Sequence, residues 1–214
     1  MNLIERTEAF LKETFAASEY LQAHPSDCAY RLEHSYRVAN IAKRIAASEG
    51  MNETYAVIAG LLHDISYCEQ WEDETVWKEH GRRSAAIARP FLERLGLPSE
   101  AVNEICFGIA IHVDDSADFE WERTPFCETV GDADNIDRFD AYRIYEGLQR
   151  KGFREMSFDE KRTHTVSTLE QLTKLREMKL GTKTAKALWL EQLDDYISFY
   201  EKLKAQLDSS TSIL

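Results

Sequence analysis

The chain has little glycine or proline and no long apolar run. Nine glycines and four prolines make up 13 of 214 residues, about 6%, against roughly 12% in average proteins. This shortage argues against sandwiches and barrels, which are dense in turns. The longest uninterrupted apolar run, residues 56–62, is far shorter than the ~20 residues of a membrane helix. Charges within the first six residues also disfavour a signal peptide. We therefore expect neither a membrane span nor a leader.

Basic residues and paired cysteines are scarce as well. Lys and Arg number 26 against 38 Asp and Glu, which gives a formal net charge of -12. Because clustered Lys and Arg drive binding to a polyphosphate backbone, we expect no extended nucleic acid as a partner. A small phosphorylated molecule is still a possible partner, since a bound metal ion can reverse the sign of the electrostatic field locally. The cysteines lack C-x-x-C spacing, which indicates reduced thiols in a cytoplasmic protein: Cys28, Cys68, Cys106 and Cys127.

Apolar residues recur at steps of three and four, and two-residue alternation is almost absent, which predicts an all-α fold. We expect residues 1–214 to form one domain, with a C-terminal helical extension over residues 150–207. The predicted helices cover residues 2–22, 33–48, 53–67, 80–95, 99–112, 128–149, 157–179 and 184–207.

The last predicted helix carries large apolar residues in the seam spacing of a coiled coil. These are Trp189, Leu193, Tyr196, Tyr200, Leu203 and Leu207. The pattern fits either an amphipathic helix that lies on the main body or a homodimer contact through the C-terminal helices.

His63 and Asp64 are adjacent polar residues that directly follow the most apolar segment, residues 56–62. Burying two polar side chains in succession costs several kcal/mol unless something satisfies them. Neutral imidazole and carboxylate are ligands of divalent transition metals. The pair therefore predicts a metal site at the end of a buried helix.

Two further helices carry a histidine on an apolar face. His34 shares its face with Val38, and His112 lies on a stripe with Ile109. A lone inward histidine is more often a hydrogen-bonded core residue than a ligand. Its repetition on separate helices makes these histidines candidate ligands.

An acidic run contains Asp132, Asp134 and Asp137. Such a run is often a solvated face or a helix N-terminus. Asp132 lies one turn from Ile136 and would share its inward direction, so we predict Asp132 as a ligand. Asp134, Asp137 and Asp140 fall at other angles and are expected in supporting or surface positions.

Together these residues resemble the HD-domain family of metal-dependent phosphohydrolases over about residues 30–145. The order His, His-Asp, His, His, Asp is far more specific than an isolated His-Asp pair. The resemblance implies a compact helical bundle in which the ligands converge. It is carried by Glu33–Ala39, Gly60–Ile65, His80–Ala85, Ile111–His112 and Asp132–Asp134.

The resemblance also implies one or two divalent metal ions. In this resemblance His34, His63, Asp64 and Asp132 match the minimal metal site of the family. His80 and His112 match the extra histidines of its dinuclear members, in which the aspartate of the pair, here Asp64, bridges both ions. This donor set favours iron or manganese, with magnesium, zinc, cobalt or nickel as alternatives. The implied ligands are His34, His63, Asp64, Asp132, His80 and His112.

The implied activity is hydrolysis of a phosphomonoester or phosphodiester by metal-activated water, with Asp64 and His63 as catalytic residues and a small, nucleotide-like substrate. Neither a G-x-S-x-G elbow nor a Walker loop competes with it. Trp71 and Trp77 are expected to rim the site. Three basic residues close to the ligands are candidates for binding phosphate oxygens: Arg37, Arg82 and Arg83.

Two other functions are compatible with the same ligands. The set also resembles that of diiron oxygenases of this superfamily, relatives of myo-inositol oxygenase, in which iron activates dioxygen. A third reading is a binding or regulatory module in which the metal only clamps helices together. An open coordination position favours catalysis, and a saturated protein shell favours the clamp.

Overall fold

The structure, a computed structural model, describes residues 1–70 and 77–210. Within these residues all regular structure is helical, which confirms the all-α prediction. Two short 3₁₀ turns, Ile65–Cys68 and Phe153–Glu155, complete it. The described α-helices are α1 (Leu3–Ala17), α2 (Glu19–Ala23), α3 (Pro25–Glu49), α4 (Glu53–Leu62), α5 (His80–Arg94), α6 (Ser99–Ile111), α7 (Pro125–Asp137), α8 (Ala141–Arg150), α9 (Phe158–Leu175) and α10 (Lys183–Ser209).

Two side-chain caps and one proline explain where the helices differ from the prediction. The predicted first helix is divided at Ser18, whose hydroxyl accepts a hydrogen bond from the Leu21 N–H. Helix α3 begins at Pro25, much earlier than predicted, because proline fits the first helical turn, where no N–H is needed. The predicted helix 128–149 is two helices, and the Asp140 carboxylate caps the second one at the N–H of Ala141.

Helices α3 and α4 approach so closely that their contact requires a glycine. A Cβ on Gly60 would lie 2.6 Å from Cα of Ala39. Helix α4 is buried on all sides from Ala56 to Leu62, as its uninterrupted apolar sequence demands. This packing brings His34 on α3 close to His63, which follows α4.

A second close approach joins α5 to α6. A Cβ on Gly81 would lie 2.5 Å from the backbone oxygen of Ala110. The first turn of α5 therefore lies directly against the last turn of α6. As a result His80 and His112 come together, with 5.0 Å between their ring centroids.

The chain divides into two compact units. The first consists of Met1–Asp137 and Gly181–Ala185, and the second of Arg138–Leu180 and Lys186–Leu214. The first unit carries all six residues predicted as metal ligands. The division falls at Asp137, whereas the domain boundaries inferred above, 30–145 and 150–207, stay predictions.

The second unit has a core of its own, formed by the apolar seam of α10. Trp189 is fully buried, its indole N–H donates to the carbonyl oxygen of Leu175, and its ring contacts Phe139 edge to face. Leu193 and Tyr200 are buried too. Much of the seam is thus used within the chain, and the homodimer stays a prediction. None of the described helices is both long and apolar enough to cross a membrane.

Candidate metal centre

Four histidines meet in the first unit with the same nitrogen atom facing the cluster. The Nδ1 atoms of His63, His80 and His112 donate to the carbonyl oxygens of Gly60, Trp77 and Ile109, at 2.8, 2.6 and 2.7 Å. A carbonyl oxygen only accepts hydrogen bonds, so each Nδ1 carries the proton. In the neutral rings Nε2 is then left as a lone pair directed at the cluster.

Asp64 lies between these imidazoles and faces them with both oxygens. Its Oδ1 is 3.3 Å from Nε2 of His80 and 3.6 Å from Nε2 of His112. Its Oδ2 is 3.5 Å from Nε2 of His34 and 3.6 Å from Nε2 of His63. Asp64 is 3% exposed, so its carboxylate is almost closed to solvent. The cluster therefore has two halves, one on each carboxylate oxygen.

Asp134 completes the half on Oδ2, and Asp132 does not. The Oδ1 atom of Asp134 is 3.2 Å from Nε2 of His34. Asp132 instead accepts a hydrogen bond from the N–H of Gly181 at 2.9 Å. The expectation that Asp132 joins the cluster is corrected here, because residues two apart on a helix point about 200° apart. Burial raises the pKa of the Asp132 carboxyl to about 7.

Asp137 has the supporting position expected from the sequence. Its Oδ2 accepts from Nδ1 of His34 at 2.8 Å, and its Oδ1 accepts from Nε of Arg37 at 2.6 Å. Carboxylates that hold the outer nitrogen of a ligating histidine fix its ring and its tautomer. Arg37 therefore acts on His34 through Asp137, whereas we expected it to bind phosphate.

The electrostatics of the cluster favour a cation. Burial opposes the charge on Asp64, but the surrounding His63, His112 and His80 and the charge of Arg31 hold its pKa well below the ordinary value. Burial also opposes the charge on Asp134, but the hydrogen bond with His34 lowers the pKa of this carboxyl to about 2. Burial lowers the pKa of His63 to about 4. Burial also opposes a charge on His34, but its hydrogen bonds to Asp134 and Asp137 raise its pKa to about 9. Ionised carboxylates thus surround a cationic His34 and a neutral His63.

These donors fit a divalent metal ion. Two groups have all their ligand atoms within 4.8 Å of one another: His34, His63 and Asp134, and His63, Asp64 and His112. Nε2 of His112 is buried and has no hydrogen-bond partner among the described residues. A buried lone pair without a donor is costly, and a metal ion would satisfy it.

The other two predicted arginines are engaged elsewhere. Arg82 contacts Asp114 at 2.5 Å and also Asp118, and Arg83 contacts Glu69 at 3.2 Å. These partners are carboxylates outside the cluster. The phosphate-binding role given to Arg82 and Arg83 stays a prediction without a supporting contact.

Arg31 is a residue of the site that the sequence analysis missed. Its Nη1 atom is 2.8 Å from Oδ2 of Asp64, and its guanidinium lies 3.2 Å from the ring centre of Tyr67. Its side chain is 23% exposed, so the cation reaches the rim of the cluster. The available signal was spacing, since Arg31 precedes His34 by three residues on one helix.

Aromatic side chains surround this rim, as expected for Trp77. Its indole N–H donates to the hydroxyl of Tyr67 at 3.1 Å, and both rings contact His80. Burial raises the pKa of the Tyr67 hydroxyl to about 12, which keeps it neutral. Trp71 lies outside the described residues.

Comparisons with known proteins show the family of the chain. The sequence model of the HD domain matches residues 31–142, more than half of the chain. A similar solved structure is that of a predicted HD superfamily hydrolase from an uncultured Thermotogales bacterium. It is 21% identical, with a TM-score of 0.63 over 96% of this chain and 99% of that one. Among proteins of curated function none matches this sequence. The chain belongs to the HD-domain family.

Proposed function

We propose that the protein is a metal-dependent phosphohydrolase that cleaves a phosphomonoester or phosphodiester bond in a small, nucleotide-like molecule. One observation carries this proposal: the Nε2 atoms of four buried histidine side chains surround both oxygens of Asp64. The family match and the fold of a hydrolase neighbour support it.

The proposed ligands form two groups that share Asp64. His34, His63 and Asp134 lie with its Oδ2, and His80 and His112 lie with its Oδ1. Divalent ions bound there would supply a Lewis acid for a phosphoryl oxygen and for an attacking water. The imidazole-rich set favours iron or manganese over calcium or magnesium.

The side chains of the chain itself bind and orient the substrate in this proposal. Arg31 extends from Asp64 to the rim and presents a planar, permanently charged donor fork that suits a phosphoryl oxygen. Tyr67 supports the guanidinium from one face. Trp77 is 44% exposed beside Tyr67 and offers a ring on which a base can stack.

The test is a hydrolysis panel on metal-reconstituted protein. We expect release of phosphate or a nucleoside monophosphate from nucleotides or their diesters, and loss of both turnover and bound metal in Asp64→Ala. Oxygen consumption that depends on ferrous iron, without hydrolysis, would support the diiron oxygenase alternative. A metal-free Asp64→Ala protein that retains hydrolysis would contradict the proposal.

A further inference from the structure

Two buried serines form a chain of hydrogen bonds beside the cluster. Ser66 and Ser84 are each fully buried. The Ser84 hydroxyl donates to Oγ of Ser66 at 2.9 Å and accepts from the N–H of Ser66 at 3.1 Å. The Ser66 hydroxyl donates to the carbonyl oxygen of His80 at 3.0 Å. Every donor in this serine pair is matched to an acceptor.

The serine pair joins the two segments that form one half of the cluster. Ser66 follows Asp64 by two residues in the 3₁₀ turn, and Ser84 lies one turn into α5, which begins at His80. The backbone of His80 is thereby fastened to the turn that carries Asp64, while its ring is held by the carbonyl oxygen of Trp77.

The other half of the cluster is held by different partners. His34 is oriented by Asp137 on α7, and His63 by the carbonyl oxygen of Gly60 on α4. Asp134 belongs to α7 as well. A change at the serine pair therefore acts first on the half that faces Oδ1 of Asp64.

We propose that Ser66 and Ser84 are positioning residues for the cation position formed by Asp64, His80 and His112, and that they set its affinity separately from the position formed by His34, His63 and Asp134. This inference rests on the proposed function, since it presumes that the cluster binds divalent ions. Substitution of residues that hold metal ligands by hydrogen bonds typically lowers metal affinity 10- to 100-fold.

The experiment titrates Mn²⁺ into chelator-treated, full-length protein by calorimetry, with electron paramagnetic resonance of the same samples to distinguish paired from isolated ions. Wild type is compared with Ser66→Ala and Ser84→Ala. The matched control is Ser35→Ala, which removes a buried hydroxyl that has no hydrogen-bond partner among the described residues.

We expect two ions per wild-type chain and per Ser35→Ala chain. In Ser66→Ala and Ser84→Ala the first ion should bind as in wild type, while the dissociation constant of the second rises about tenfold and the signal of paired ions is lost at equal loading. The first ion reports on folding, because an unfolded variant would lose both.

Three results would overturn the inference. Unchanged binding of both ions in the serine variants would show that the pair does not position His80. Equal weakening of both ions would show a general structural role. A wild-type chain that binds a single ion would remove the second position yet leave a mononuclear hydrolase intact, whereas one that binds none would overturn the proposed function itself.

Discussion

Asp64 interacts with both halves of the cluster through different oxygen atoms. Oδ1 faces His80 and His112, and Oδ2 faces His34 and His63. A carboxylate in this position would share its one negative charge between cations on both sides. This arrangement follows from adjacency in sequence, because His63 directly follows α4 and Asp64 directly precedes the 3₁₀ turn.

The aspartates of α7 provide a prediction at the residue scale. Asp134→Asn should lower the affinity for Mn²⁺ by about tenfold or more, because it removes a charge that lies 3.2 Å from His34. Asp132→Asn should leave metal binding unchanged, since its amide oxygen can still accept from Gly181. Metal per chain after dialysis, measured by mass spectrometry, checks both. The reverse pattern would restore Asp132 as the ligand.

Arg31 provides a second prediction at the residue scale. Arg31→Gln should lower kcat/KM by about 10²-fold, the effect of losing one charged donor at a reacting group, with bound metal retained. Arg44→Gln, the same change at an exposed position of α3, is the charge-matched control and should behave as wild type. Steady-state kinetics with the best substrate of the hydrolysis panel measure the difference. Equal rates in the two variants would show that Arg31 does not contact substrate.

The sequence predicted most of the candidate site, and its errors have simple geometric reasons. His34, His63, Asp64, His80 and His112 are brought together as the family pattern implied. The inward direction predicted for Asp132 did not place it in the cluster, because the buried position of Ile136 does not show which face of α7 meets α3. Arg31 was missed because its spacing from His34 places it on the same helix face but does not show the contact with Asp64, which lies on another segment.

At the scale of elements, the type of structure was predictable and its ends were less so. Apolar spacing predicted helices throughout, and the described elements agree. The breaks at Ser18 and Asp140 depend on single caps inside otherwise helical patterns. One hydrogen bond contributes about 1 kcal/mol, which spacing alone does not reveal.

The contact between α5 and α6 can be tested through its glycine. Gly81→Ala should destabilise the protein by about 1–3 kcal/mol, because a Cβ would lie 2.5 Å from the backbone oxygen of Ala110 and separate His80 from His112. Gly147→Ala, in α8 where the nearest atom is 3.9 Å from the new Cβ, should be neutral or up to about 1 kcal/mol stabilising. Thermal denaturation followed by circular dichroism compares them, and a stable Gly81→Ala protein would contradict this packing.

At the scale of the whole molecule, the net charge of -12 and the cation site are connected. We expect a chain of this charge to repel polyanions in general, yet a bound cation and Arg31 would provide local positive charge for a small phosphorylated substrate. Folding brings Asp64, Asp134 and Asp137 into one buried region, and divalent ions would relieve their repulsion. Stability should therefore depend on metal.

Removal of metal tests this dependence. At a metal concentration one hundred times the Kd, binding to the native state alone adds about 2.7 kcal/mol, which corresponds to a rise in Tm of roughly 5–10 °C for a chain of this size. The chelated protein should melt lower by that amount, and added Mn²⁺ should restore it. Asp64→Ala is the control and should show no shift with metal. A wild-type Tm that is indifferent to chelator would speak against a buried metal centre.

The most direct test of the account is anomalous X-ray diffraction from crystals grown with Mn²⁺, recorded at the manganese edge. We predict anomalous density between Asp64 and the Nε2 atoms of His34 and His63, together with Asp134, and a second feature between Asp64 and the Nε2 atoms of His80 and His112. Saturating metal with no anomalous density at Asp64, or density only on surface carboxylates, would contradict the central claim that these histidines and aspartates form a metal centre.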